Sequence, residues 1–254
     1  MSGHSKWATI KHKKAKEDAK RGRLFTKIIR ELTSAARSGG GNSETNPALR
    51  VAMDHAKECN MPKNNIDNAI KRGTGDLDGV NYEEINYEGY GPGGTAVLVE
   101  TLTDNKKRCA AEIRHIFSKQ GGSLGEAGCV SWMFHKKGMI IVPKEGVDEA
   151  KLMDIAIDAG AEDIQDVAED NVFEIYTTPD SFEKVKKALT ENKVKITISE
   201  VTMIPQSYVR ITGKDAEHML KLIEVLEESD DVQMVYANFD IPSSEMEMLA
   251  AGDV

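Results

Sequence analysis

The sequence is poor in cysteine, has no long apolar run and carries none of the common catalytic signatures. Its three cysteines, Cys59, Cys109 and Cys129, are odd in number, far apart and never in a CxxC pair. They suit neither a disulfide framework nor a structural zinc site, and point to a reducing, cytoplasmic setting. No segment approaches the ~18 consecutive apolar residues of a membrane helix, so no membrane partner is expected. The charged opening MSGHSKWATIKHKK has no hydrophobic stretch of the secretory kind. GxxxxGK(S/T), GxSxG, HExxH and a helix-opening GxGxxG are all missing, which removes the usual nucleotide, hydrolase and metalloprotease readings. Gly91-Pro92-Gly93-Gly94 precedes a strand rather than a helix, and so reads as a turn instead of a phosphate loop. His55, His115, His135 and His218 stand singly, without Cys or carboxylate at metal-ligand spacing. Acidic pairs such as Glu227-Glu228 and Asp230-Asp231 read as solvated helix ends, not as a buried acid/base site. No enzyme activity, cofactor, metal or small-molecule substrate is expected.

What is present is an ordinary globular balance, 40% hydrophobic and 30% charged, in 254 residues. At roughly 150 residues per domain, that length accommodates two or three domains. The net charge of −9 conceals a strong asymmetry. Residues 1–75 hold 16 Lys/Arg against 7 Asp/Glu, and the remainder holds 17 against 35. A basic first part on an acidic body is the pattern of a segment that seeks a polyanion.

The first 23 residues have no helical or strand period and little apolar material, so an extended, mobile arm is expected there. From Leu24, the spacing of Phe25, Ile28, Ile29, Leu32 and Ala36 predicts an amphipathic helix. The stretch SGGGNSET over 38–45 ends it. Asn46 then caps a second helix with Pro47 in its first turn. A third runs over 62–72 with Ile66, Ala69 and Ile70 inward and Gly73 as its stop. The acidic body alternates strands and helices. Residues 139–203 read as strand, helix, strand, strand, helix, strand, the ferredoxin-like order. Strands at 95–101, 130–134, 208–211 and 232–239, with helices at 106–119 and 215–228, repeat that order around the insert. The expected fold class is therefore α+β multidomain: a three-helix domain plus two ferredoxin-like βαββαβ domains, one inserted in the other. The expected boundaries are 1–23 for the arm, 24–75 for the helical domain, 80–135 plus 205–240 for the host, 136–204 for the insert and 241–254 for a frayed tail. Trp132 and Phe134 read as core packing, because the basic-Gly-aromatic octapeptide of RNA-recognition sheets is missing.

The positive finding is the basic arm. Lys6, Lys11, Lys13, Lys14, Lys16, Lys20, Arg21 and Arg23 crowd into 18 residues, with Trp7 and His12 among them. Such cations neutralise phosphates and release counterions, while an indole stacks on an exposed base. In helix 62–72, Lys63, Asn64, Asn65, Asn68, Lys71 and Arg72 are the candidates for groove contact, with asparagines suited to adenine.

The opening MSGHSKWATIKHKK closely resembles that of the YebC family of presumed transcriptional regulators. The resemblance continues through RLFTKIIRELTSAAR, NPALRVAMDHAKECNMPKNNIDNAIKRGTG, YEGYGPGGTAVLVETLTDNKKR, RHIFSKQGGSLGEAGCVSWMFHKKG and DVQMVYANFDI, nearly the whole chain. It implies one helical and two α/β domains, and nucleic-acid binding without enzymatic activity. Two roles are associated with the family: DNA-binding transcriptional regulator, and, through a mitochondrial relative that activates translation of cytochrome c oxidase I, a ribosome-bound factor that assists difficult stretches such as consecutive prolines. The sequence begins at the family motif, which favours a bacterial cytoplasmic member. The partner is therefore expected to be DNA, or ribosomal RNA within the ribosome. A protein-interaction scaffold is the third reading.

Overall fold

The computed structural model describes residues 17–251. The first helix, α1, spans Glu17–Gly39, so residues 17–23 are helical rather than part of an extended arm. The reason is local. Ala19, Lys20, Arg21 and Arg23 have high helix propensity. Apolar periodicity is absent there, but a helix already nucleated by residues 24–36 needs none to extend by two turns. α2 (Pro47–Glu58) and α3 (Lys63–Thr74) both pack on α1. Ile28, Leu32, Ala35 and Ala36 of α1 meet Leu49, Ala52 and Ala56 of α2 and Ile66 and Ala69 of α3 in one buried cluster. Asn46 is itself buried. Its Oδ1 accepts from the Leu49 N–H at 3.1 Å, while its Nδ2 donates to the Ala35 and Gly40 carbonyls at 2.8 Å. One amide side chain thus caps α2 and closes the α1–α2 loop. Gly73 does not stop α3. It lies within the helix, where a Cβ would stand 2.5 Å from the Thr33 carbonyl oxygen, so its role is close approach of α3 to α1. The stop is Gly75 at φ 89°.

The described chain divides into two compact units: one runs to Val130 and resumes over Ile211–Ala237, and the other comprises Ser131–Arg210 and the chain from Asn238 onward. The first unit contains the three helices and a four-stranded sheet. Its strands are β1 (Glu83–Tyr90), β2 (Ala96–Thr103), β3 (Ser123–Leu124) and β9 (Val232–Ala237), ordered β3-β1-β2-β9 and antiparallel throughout. Helices α4 (Lys106–Lys119) and α7 (Gly213–Glu228) pack against it and against each other. β1 and β2 form a hairpin from Glu83↔Thr103 to Tyr90↔Ala96 around the Gly91-Pro92-Gly93-Gly94 turn. The sheet keeps the ferredoxin-like arrangement, but its second central strand is β1 and not the expected segment 208–211. EEINYEGY has its period-2 pattern diluted by glutamates, which is why the strand is faint in the sequence. Glu88 of β1 is buried. Its carboxylate accepts the Gly128 and Val130 N–H groups at 2.7 and 2.8 Å, which fixes the glycine-rich loop after β3.

The second unit has β4 (Phe134–Pro143), α5 (Glu149–Ala159), β5 (Ala161–Val167), β6 (Val172–Thr177), α6 (Phe182–Glu191) and β7 (Ile198–Pro205). The sheet order β5-β6-β4-β7 is ferredoxin-like, with the first and third strands of the unit central. Alternate residues of β4 feed opposite faces. Ile140 and Val142 join Leu152, Phe173, Ile175 and Val185 beneath the helices, while Met139 and Ile141 join Val172 and Tyr176 on the other face. Segment 130–134 is not one strand: Val130 is buried in the first unit, a single turn over Ser131–Met133 follows, and Phe134 opens β4. The segment expected at 208–211 reduces to β8 (Val209–Arg210), paired in parallel with β10 (Phe239–Asp240). The tail is not frayed over Ser243–Ala251. It forms α8, with Met246 fully buried and Ser243 Oγ bonded to Asp170 at 2.6 Å.

Candidate nucleic-acid interface

α3 is an amphipathic helix whose inner face is small. Ile66, Ala69 and Gly73 are buried against α1. The 3.6-residue period then places Asn64, Asp67, Asn68 and Lys71 along the opposite face, all exposed. Lys63 and Arg72 flank this strip and are exposed, and Asn65 is half-buried at its margin. Pro62 precedes the helix, no side chain caps it, and its first turn has no acidic residue. The positive end of the dipole therefore adds to Lys63. Asp67 is the one opposing charge on the strip.

The basic arm is divided by the structure. Lys6, Trp7, Lys11, His12, Lys13, Lys14 and Lys16 lie outside the described residues, and Lys20 falls in the second turn of α1. Arg21 has its guanidinium 5.4 Å from the centroid of the Phe25 ring. Arg23, expected in the mobile arm, forms an ion pair with Glu228 of α7 at 2.8 Å. Further along α1, Lys27 donates to the Glu227 carbonyl at 2.8 Å. Arg30 donates to the Leu102 carbonyl at 2.9 Å and to the carboxylate of Asp231. α1 thus directs a row of cations to the C-terminal end of α7, to β2 and to Asp231.

Asp231 corrects the reading of the 230–231 pair as solvated. It is 3% exposed and accepts from Arg30, from Arg108 at 3.0 Å and from Thr103 Oγ1 at 2.9 Å. Burial alone would raise its carboxyl, but the hydrogen bonds from Arg30, Arg108 and Thr103 prevail and hold it below the usual carboxylate range. Charged Asp231 therefore joins α1, β2 and α4 at one point. Hydrophobic patterning does not signal a carboxylate of this kind. Only the arginines near it in space, 201 and 123 residues away in sequence, make its burial tolerable.

Two features escaped sequence reasoning. α4 carries Lys106, Lys107, Arg108, Arg114 and Lys119 against a single acid, Glu112, in a part of the chain otherwise rich in acids. Lys106 pairs with Glu83, and Arg108 pairs with Asp104 and Asp231. Lys107, Arg114 and Lys119 are exposed. A count of charge per element, in place of one per segment, would have found them. The second is Trp132, expected in the core with Phe134. Phe134 is 4% exposed, but Trp132 is 62% exposed, because the turn over Ser131–Met133 breaks the strand alternation that would have buried both. Among the described residues no group of three or more His, Cys, Asp or Glu side chains is placed to hold a metal, and no helix is long and apolar enough to cross a membrane.

Comparison with known proteins covers the chain nearly end to end. The family description "TACO1/YebC protein N-terminal domain" matches residues 5–76, and "TACO1/YebC second and third domain" matches residues 82–239. A relative from Desulfatibacillum aliphaticivorans, named "Probable transcriptional regulatory protein", is 59% identical over 242 residues, 95% of this chain and 97% of its own. One of the same name from Dictyoglomus turgidum is 57% identical over 251 residues, 98% of this chain and all of its own. The crystal structure of a conserved hypothetical protein from Aquifex aeolicus is similar with a TM-score of 0.75 at 50% identity, covering 92% of this chain and 96% of that one. With matches of this extent on both parts of the chain, the protein belongs to the TACO1/YebC family.

Proposed function

We propose that the protein is a non-enzymatic regulator of gene expression, a DNA-binding transcriptional regulator of the YebC type. The observation that carries this reading is the outward strip of α3. Asn64, Asn68 and Lys71, flanked by Lys63 and Arg72, stand exposed on a small domain preceded by residues 1–16, which hold five lysines and no Asp or Glu. Phosphate contacts from residues 1–16 and from the lysines supply affinity and position the protein. The asparagines, which can pair bidentately with adenine, supply modest sequence preference. The name of the relatives, probable transcriptional regulatory protein, supports this role.

The test compares a promoter fragment, a shuffled fragment and purified ribosomes at one fixed salt concentration. Deleting residues 1–16 abolishes duplex binding and leaves the remainder folded. The deletion stops short of α1, because Arg23 holds Glu228. Replacing Asn64, Asn65 and Asn68 together by alanine relaxes sequence preference by about 1–3 kcal/mol per lost bidentate contact. A wild-type ratio near one between the two fragments, with tight ribosome binding, overturns the reading in favour of a translation factor.

A further inference from the structure

In the second unit two segments without acidic residues come together. Residues 131–144 carry His135, Lys136, Lys137 and Lys144 and no Asp or Glu, and residues 201–210 carry only Arg210 among charged groups. Beyond residue 75 acidic residues outnumber basic ones by two to one, so two such stretches brought side by side form a local exception. β4 and β7 join them through Phe134↔Pro205 and His135↔Ile204. The Gln206 N–H donates to the Met133 carbonyl at 2.8 Å, and the Gln206 side chain meets His135 Nε2.

Trp132 projects from this junction. Its turn is pinned from both sides, by buried Phe134 after it and by the Gln206 bond to Met133, yet the indole itself is 62% exposed. His135, Lys136 and Gln206 are exposed beside it, and Tyr208, two residues beyond Gln206, is 41% exposed. Lys137 is engaged by Glu162 and Arg210 stands opposite Asp240, and His135 and Lys136 are the basic groups closest in sequence to the indole. An exposed indole on a rigid turn, set among donors and a cation where two segments without acidic residues meet, suits an unstacked nucleobase with its phosphate nearby. A base inside a duplex offers no face to it, whereas a single strand does.

We propose that Trp132, supported by His135, Lys136 and Gln206, is a base-stacking site for single-stranded nucleic acid, separate from the α3 surface. The proposal rests on the nucleic-acid reading above and adds a second mode to it. Full-length protein is titrated with fluorescein-labelled 20-nucleotide oligo-dT, oligo-rU and a duplex of equal length. Trp132→Ala loses roughly 10- to 100-fold in single-strand affinity, with little salt dependence, while duplex affinity and the melting temperature stay within error. Trp132→Phe recovers most of the loss. Because Trp7 and Trp132 are the two tryptophans, the emission of a Trp7→Phe variant reports Trp132 alone, and it is quenched saturably by the single strand. The dT and rU arms distinguish DNA from RNA as the source of the strand. Unchanged single-strand affinity in Trp132→Ala, or unquenched emission at saturation, overturns the site while duplex binding leaves the regulator reading standing. Failure of the wild-type protein to bind any of the three probes overturns both.

Discussion

α1 and α3 are both basic helices of one small domain, yet they use their charge in opposite ways. α1 directs Arg23, Lys27 and Arg30 to partners on α7, β2 and Asp231. α3 packs through small residues and leaves Lys63, Lys71 and Arg72 exposed. A net charge summed over residues 1–75 treats these cations alike. Charge present is not charge available: a guanidinium that holds a buried carboxylate contributes stability and little to the attraction of phosphate.

The comparison breaks most decisively at Arg30. Arg30→Ala leaves a charge on Asp231, which is nearly inaccessible, with Arg108 and Thr103 as its remaining named donors. The expected loss is about 3 kcal/mol, the low end for one partner of a buried pair, read from denaturant unfolding. The same pair sets an acid limb. A depressed carboxyl contributes stability that is fully present above its unfolded value of roughly 4 and is lost as pH falls through the lower folded value. Asp231→Asn therefore lowers stability at neutral pH and flattens its decline below about pH 4. Undiminished acid sensitivity in that variant would remove Asp231 from the account.

Within the helical domain, Asn46→Ala removes a cap and leaves the Ala35 and Gly40 carbonyls without their amide donor. It costs about 2 kcal/mol, and the thermal transition falls while the exposed face of α3 is untouched. Lys63→Ala, Lys71→Ala and Arg72→Ala behave in reverse. Each weakens duplex binding nearly uniformly across sequences and reduces the salt slope by about 1, with no change in melting temperature. A stability loss without a change in slope would assign these side chains to the fold instead. The smallest effect is expected at Arg23→Ala. Its pair with Glu228 is about half exposed on both sides, so the loss is roughly 0.2–1 kcal/mol and vanishes at high salt.

Periodicity and turn chemistry were legible without a structure. The three helices, the Asn46 cap, the Gly91–Gly94 turn and the ferredoxin-like order of the inserted strands follow from residue spacings of 3.6 and 2 and from the preferences of Asn, Pro and Gly. These are local properties, decided within a few residues. The surfaces that became available or buried were decided by tertiary structure alone. Trp132 is exposed because one turn shifts it out of the strand register of Phe134. Asp231 is buried because Arg30 and Arg108 arrive from distant parts of the chain. β1 occupies a central place because its partners on either side, β2 and β3, satisfy backbone groups that its polar sequence does not advertise. By itself the sequence determined the helices and strands with a strong period, such as those of the helical domain and the second unit, but not β1, the helical residues 17–23 or the terminal helix. Which cations face solvent depended on what each meets in space, because burial and pairing are sums over neighbours that sequence distance does not rank.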